Sequence, residues 1–95
     1  MTNAPTPQAI SALLRKAGFV RAISLLRGGV SGYSVSKYGA GPDVEVRYSS
    51  VSMGTSNEHR LMHLARYERV LSMHGYAVET DAQACRLIVT TKTEA

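Results

Sequence analysis

His59 and His63 are the residues whose types and spacing come closest to a metal site. Four residues apart in a helix, they project from the same face, as two zinc ligands do. The helical metalloprotease motif places a glutamate general base directly after the first histidine, but here that position holds Arg60. A third ligand would have to be His74 or Cys85, and His74 lies too far along the helix axis to share the ion, at about 16 Å from His63. With no third ligand in reach, the sequence predicts no metal, and a metal-dependent enzyme is the most distant alternative.

Cys85 is the single cysteine of the chain and its most nucleophilic side chain. It falls in an alternating apolar run, so we expect it to be buried in a strand, where a thiol is inert. No serine stands in a Gly-x-Ser-x-Gly elbow, and the seven acidic residues are dispersed along the sequence. The sequence therefore predicts no catalytic residue and no cofactor, and we expect that the protein is not an enzyme.

The first half of the chain is rich in basic residues. No acidic residue precedes Asp43, and the formal net charge of the whole chain is +4. Such an asymmetry indicates a polyanionic partner, although arginines that only solvate the surface are an alternative. The candidate nucleic-acid contacts are Arg15, Lys16, Arg21, Arg27 and Lys37.

The second predicted helix has a candidate protein interface on its outer face. Steps of 100° per residue place five side chains opposite the stripe of Leu61, Leu64 and Leu71. They are Met62, Arg66, Arg69, Val70 and Met73. Methionine suits adaptable contact surfaces and arginine is enriched at interfaces, so this face predicts contact with a partner protein or a homodimer. The alternative is that loops such as residues 49–56 cover the face in the monomer.

Two amphipathic helices must position these residues. Thr6 is a predicted N-cap followed by proline, and the first helix is expected over residues 7–17. Thr55 and Glu58 have the spacing of a capping box, which predicts the start of the second helix. Gly75 is expected to end it.

Alternation of apolar and polar residues predicts four strands. They are residues 33–38, 44–49, 76–80 and 85–91. The last strand is expected to be central because Ile88 makes its second face apolar as well. The pattern leaves residues 19–26 undecided between strand and helix, and three glycines predict a loop over residues 27–32. The order α-β-β-α-β-β predicts an α+β fold, an antiparallel sheet of about four strands with two helices packed on one face.

Each predicted helix ends in the same way. The segments 14–19 and 71–76 share a leucine, a glycine and an aromatic residue at equal spacing, and β structure follows each. Either the domain consists of two related α-β-β halves, or a glycine followed by an aromatic residue is simply how helices stop before strands.

Length and composition predict a single domain. Ninety-five residues, 44% of them hydrophobic, are the size of one domain. We expect an α+β domain over residues 6–92, with disordered tails at residues 1–5 and 93–95. The single cysteine, the absence of a leader-like start and the lack of an apolar run of about 20 residues favour the cytoplasm without membrane contact.

The segments 10–19, 67–79 and 87–90 resemble small proteins of actinobacteria and their phages. The likeness covers about half of the chain and transfers no site residues. It implies a role in phage or mobile-element biology, in the host cytoplasm. Together the observations predict a non-catalytic binding module that acts through protein contact, with nucleic-acid binding by the basic half as the alternative.

Overall fold

The computed structural model of the protein describes residues 5–25, 28–50 and 54–92. The elements in that part of the chain are α1 (Pro7–Lys16), β1 (Ile23–Leu25), β2 (Gly28–Val30), β3 (Gly32–Lys37), β4 (Val44–Ser49), α2 (Asn57–Met73), β5 (Tyr76–Asp81) and β6 (Arg86–Lys92). The predicted α+β class is confirmed, with β1 and β2 added between α1 and β3. Of the predicted tails only Pro5 is described, and it is buried; residues 1–4 and 93–95 lie outside the described residues.

Four strands form one antiparallel sheet in the order β3-β4-β6-β5. The prediction that the last strand is central is therefore confirmed, since β6 lies between β4 and β5. Val46 of β4 is opposite Val35 of β3 on one side and Leu87 of β6 on the other. This register places apolar side chains of neighbouring strands on the same face of the sheet. Both helices pack on that face, α1 over β3 and α2 over the other three strands.

The core is centred on Tyr67 of α2. Its ring meets Phe19 edge-on at 4.8 Å between centroids and Tyr33 of β3 at 6.3 Å, so it joins both helices to the sheet. Leu64 and Leu71, one turn on either side, are fully buried, which confirms the predicted apolar stripe. The other buried apolar side chains are Ile10, Leu14, Val44, Val46, Leu87, Ile88 and Val89. Full burial of such a side chain stabilises the fold by about 1.5–3 kcal/mol.

The end signals of α1 act as the sequence predicts. The Thr6 hydroxyl accepts a hydrogen bond from the backbone N–H of Ala9 at 3.1 Å. Gly18 has a φ of 98°, and the N–H of Phe19 donates back to the carbonyl of Leu14 at 3.1 Å. This geometry satisfies the last carbonyls and turns Phe19 onto the core.

The predicted capping box at the start of α2 is wrong. Ser56 is the N-cap, and its hydroxyl accepts from the N–H of His59 at 3.2 Å. Thr55 instead contacts the hydroxyl of Ser50, at 2.6 Å between the two oxygens. The helix begins at Asn57, so Ser56 has the three-residue spacing that a cap requires.

The prediction of a loop over residues 27–32 is also wrong in part. β1 and β2 pair antiparallel, with Leu25 opposite Gly28. The segment before β1 runs parallel to β3, where the N–H of Tyr33 donates to the carbonyl of Val20 at 2.9 Å. A Cβ on Gly32 would lie 2.0 Å from that same carbonyl oxygen. This glycine is therefore explained by close approach of two backbones, which its sequence neighbourhood does not reveal.

Cys85 does not occupy the buried strand position that was predicted. It closes the turn between β5 and β6 with a φ of 51°, and it is only partly buried. β6 begins one residue later because the carboxylate of Asp81 accepts from the N–H of Ala84 at 3.2 Å and holds the turn. The Cys85 side chain lines an open cleft of about 400 Å³ together with Arg47 and Arg60.

Candidate functional site

The outer face of α2, defined by Met62, Arg66, Arg69, Val70 and Met73, lies on the helix side away from the core. Met62 is 48% exposed and Met73 is 78% exposed. Both arginines are exposed, and Val70 is half-buried. The described residues of the segment 49–56 leave the two methionines accessible. An apolar and cationic strip about 16 Å long thus extends along the helix.

The arginines of this face lack acidic partners among the described residues. Ion pairs in that part of the chain involve Arg47 and Arg86 only. Glu68, the nearest carboxylate in sequence, accepts a hydrogen bond from the hydroxyl of Thr80 at 3.3 Å. The charge of Arg66 and Arg69 is therefore available to a partner.

A histidine-tyrosine cluster, made of Tyr48, His59 and His63, lies where the first two turns of α2 cross the end of β4. The ring of His63 is stacked flat on Tyr48, with 4.0 Å between centroids and 5° between planes. His59 meets both rings edge-on. The Nε2 atoms of His59 and His63 are 3.2 Å apart. Burial lowers the pKa of His63, and the nearby His59 and Arg66 lower it further.

Only part of the predicted basic set is brought together. Arg15 and Arg21 line one cleft of about 410 Å³ between α1 and β3. Lys16 is exposed beside Arg15, at the end of α1. Lys37 ends β3, about 13 Å along the strand from the residue that pairs with Arg21. Arg27 lies outside the described residues.

The sheet face away from the helices carries a network of paired charges that sequence reasoning missed. Glu45 binds both Arg47 and Arg86, and Arg86 also binds Asp81 at 3.1 Å. The guanidinium of Arg86 lies 4.8 Å from the centre of the Tyr38 ring. A hydrogen bond from the N–H of Ala84 lowers the pKa of Asp81, and Arg86 lowers it further. The sequence shows charged residues alternating with apolar ones along β4 and a charged residue at the start of β6. It does not show that these two strands are neighbours, which is what brings the charges together.

Two kinds of feature are absent from the described residues. No group of three or more histidine, cysteine, aspartate or glutamate side chains is gathered there as a metal cage. No described helix has the length and apolarity to cross a membrane.

The architecture is thus a small α+β domain with an exposed apolar and cationic face on α2. Comparison of the chain with protein-family models, with curated proteins and with solved structures found no match in any of the three.

Proposed function

We propose that this protein is a non-catalytic binding module whose outer face of α2 docks a partner protein with an apolar patch bordered by carboxylates. The observation that carries this proposal is the exposure of Met62 and Met73 on one helix face. Burial of a methionine side chain contributes about 1.5–3 kcal/mol, so water is an unfavourable neighbour for both. Their long, unbranched side chains adapt to the shape of a contacting surface.

The spacing of the face suits recognition along a helix. Met62, Arg66 and Met73 stand at i, i+4 and i+11, with Arg69 and Val70 between them. Side chains at such intervals form one line of anchors for a groove in a partner. Because the strip is longer than one helical turn, a groove that holds all of it must run along the axis of α2.

Charge favours a different protein over a second copy of this chain. A symmetric pair of α2 helices would bring the Arg66 and Arg69 guanidiniums of both copies together, and like-charge juxtaposition costs several kcal/mol. A partner with aspartate or glutamate around its apolar patch would pair with the two arginines instead. The homodimer, which the sequence leaves as an option, is therefore not the proposed partner. The test detects it by the mass of the protein in solution.

The test compares single glutamate substitutions at two exposed apolar sites. Met62→Glu lies on the proposed face, and Val20→Glu adds the same charge at a site that is 57% exposed outside it. Each variant is used to isolate bound proteins from the native cell, and its mass in solution is measured. We expect partner retention by the wild type and by Val20→Glu, and loss with Met62→Glu at unchanged melting temperature. Equal retention by both variants, or a wild-type dimer that Met62→Glu dissociates, would contradict the proposal.

A second candidate function is nucleic-acid binding, favoured by one observation. Arg15 and Arg21 line the same cleft, and neither has an acidic partner among the described residues. Charge reversal separates the two candidates, since Arg66→Glu with Arg69→Glu changes the net charge as much as Arg15→Glu with Lys16→Glu. Loss of salt-dependent DNA or RNA retardation in the α1 variant alone would favour nucleic acid.

The resemblance to small actinobacterial and phage proteins supports an accessory role in phage or mobile-element biology as the setting for such a module. That setting predicts a partner in the host cytoplasm. Identification of the retained protein by mass spectrometry tests this setting. A partner with no role in phage or mobile-element biology would contradict it.

A further inference from the structure

The histidine-tyrosine cluster has a geometry that neither the fold nor the proposed partner face requires. His59 is exposed, yet its ring turns toward His63 and the two Nε2 atoms are 3.2 Å apart. Two imidazole nitrogens bound to one tetrahedral ion at 2.0–2.1 Å are about 3.3 Å from each other. We infer that His59 and His63 bind one divalent first-row transition-metal ion through their Nε2 atoms, leaving its other coordination positions open to water or an external ligand.

Tyr48 positions one of the two ligands. Its ring is parallel to that of His63 at 4.0 Å, which restricts rotation of this imidazole before any ion arrives. The described residues gather no third histidine, cysteine or carboxylate beside the pair. A closed structural zinc site has four protein ligands and a catalytic site has three, so a site with two imidazoles leaves two positions of a tetrahedral ion to water or an external ligand.

The protonation state of the pair is compatible with binding. Without an ion, the Nε2–H group of one ring donates a hydrogen bond to the unprotonated Nε2 of the other ring. On binding, that proton moves to Nδ1 of the same ring, so both Nε2 lone pairs face the ion and no net proton is released.

The donor set selects the class of ion. Imidazole suits copper, nickel and zinc, whereas magnesium and calcium need oxygen ligands, which the cluster lacks apart from the Tyr48 phenol. The expected order of affinity is Cu²⁺ above Ni²⁺ and Zn²⁺, with no binding of Mg²⁺ at the same concentration. Arg66, one turn beyond His63, repels the ion and weakens the site.

The experiment is calorimetric titration of the full chain, free of any affinity tag, with Zn²⁺ as the main probe and Mg²⁺ as the control ion. We expect one Zn²⁺ per chain, loss of binding in His59→Ala and in His63→Ala, and unchanged binding in His74→Ala at the far end of the same helix. Tyr48→Ala should weaken binding on the order of tenfold, the lower end of the cost of losing a group that orients a ligand. Arg66→Gln should strengthen it, because a repelling charge is removed.

Absence of Zn²⁺ binding by the wild type would overturn the inference, as would equal binding by the His59→Ala variant. Half an ion per chain with a doubled mass would also contradict it, because the ion would then bridge two copies. The metal site is independent of the proposed partner face, since Met62→Glu removes the partner contact and leaves both imidazoles in place. Loss of one activity without the other shows which proposal has failed.

Discussion

Replacement of Gly32 by alanine tests whether the chain before β1 is packed against β3. A Cβ at this position would lie 2.0 Å from the carbonyl oxygen of Val20 and 3.0 Å from the backbone nitrogen of Ala22. Ordinary contact begins at 3.4 Å, so the two backbones must separate by about 1.4 Å. The hydrogen bonds that join them, now 2.8 and 2.9 Å long, cannot survive that displacement.

The cost follows from the two lost hydrogen bonds. Each contributes about 0.5–1.5 kcal/mol to stability, so Gly32→Ala should destabilise the domain by about 2 kcal/mol. A domain of this size loses roughly 4–8 °C of melting temperature per kcal/mol, which predicts a decrease of about 8–16 °C. The segment that carries Arg21 would leave its place beside β3, and the cleft shared by Arg15 and Arg21 would open.

Thermal unfolding followed by circular dichroism measures the effect, with Gly41→Ala as the matched control. Gly41 has no atom within 4 Å of an added Cβ and no positive φ, so the same substitution there should be neutral or stabilise by about 0.4–1 kcal/mol. Equal melting temperatures for the two variants would refute the packing of Val20 and Ala22 against β3. The far-ultraviolet spectrum of Gly32→Ala should keep its helical signal, because neither helix contains the altered contact.

Two further predictions concern the ends of elements. Ser56→Ala should destabilise the domain by about 1 kcal/mol and Ser56→Gly by only a few tenths, because a glycine is tolerated at an N-cap whereas alanine is not; equal urea midpoints for both variants would contradict the assignment of Ser56 as the cap. Asp81 has a pKa below its ordinary 3.8 in the folded protein, so its charge contributes stability at neutral pH that is lost as the pH falls through that range. Asp81→Asn should therefore unfold at lower urea than the wild type at pH 7, and the difference should shrink on acidification below 3.8; a difference independent of pH would show that the charge has no such role.

Local signals in the sequence were sufficient for most of the fold. The inner stripe of α2 and the Gly18–Phe19 stop are encoded within a few residues, so periodicity and capping rules find them. The packing of Val20 beside Tyr33 joins segments that no local pattern connects, and the nearby glycines imitate a loop. The capping-box spacing of Thr55 and Glu58 predicted the wrong N-cap, because Thr55 contacts Ser50 and the next residue, Ser56, caps α2.

In the candidate site, too, some features follow from local sequence and others depend on tertiary packing. Spacing alone placed His59 and His63 on one helix face, and the 100° periodicity placed the methionines on the outer face. The contribution of Tyr48 could not be predicted, because this side chain comes from a strand whose position under α2 depends on the whole sheet. The charge network of Glu45 and Arg86 likewise depends on the pairing of β4 with β6.

The two helices differ mainly in what they expose. Leu14 and Leu71 lie near the ends of α1 and α2, and both are fully buried. The outward side of α1 is polar or small, whereas the longer α2 presents Met62 and Met73 to solvent. Helix formation does not require methionine at positions 62 and 73, because a polar residue of high helix propensity would support the helix equally well without exposing apolar surface. Since folding accounts for the inner faces of both helices but not for the outer face of α2, the proposed contact with a partner protein supplies a reason for the two exposed methionines.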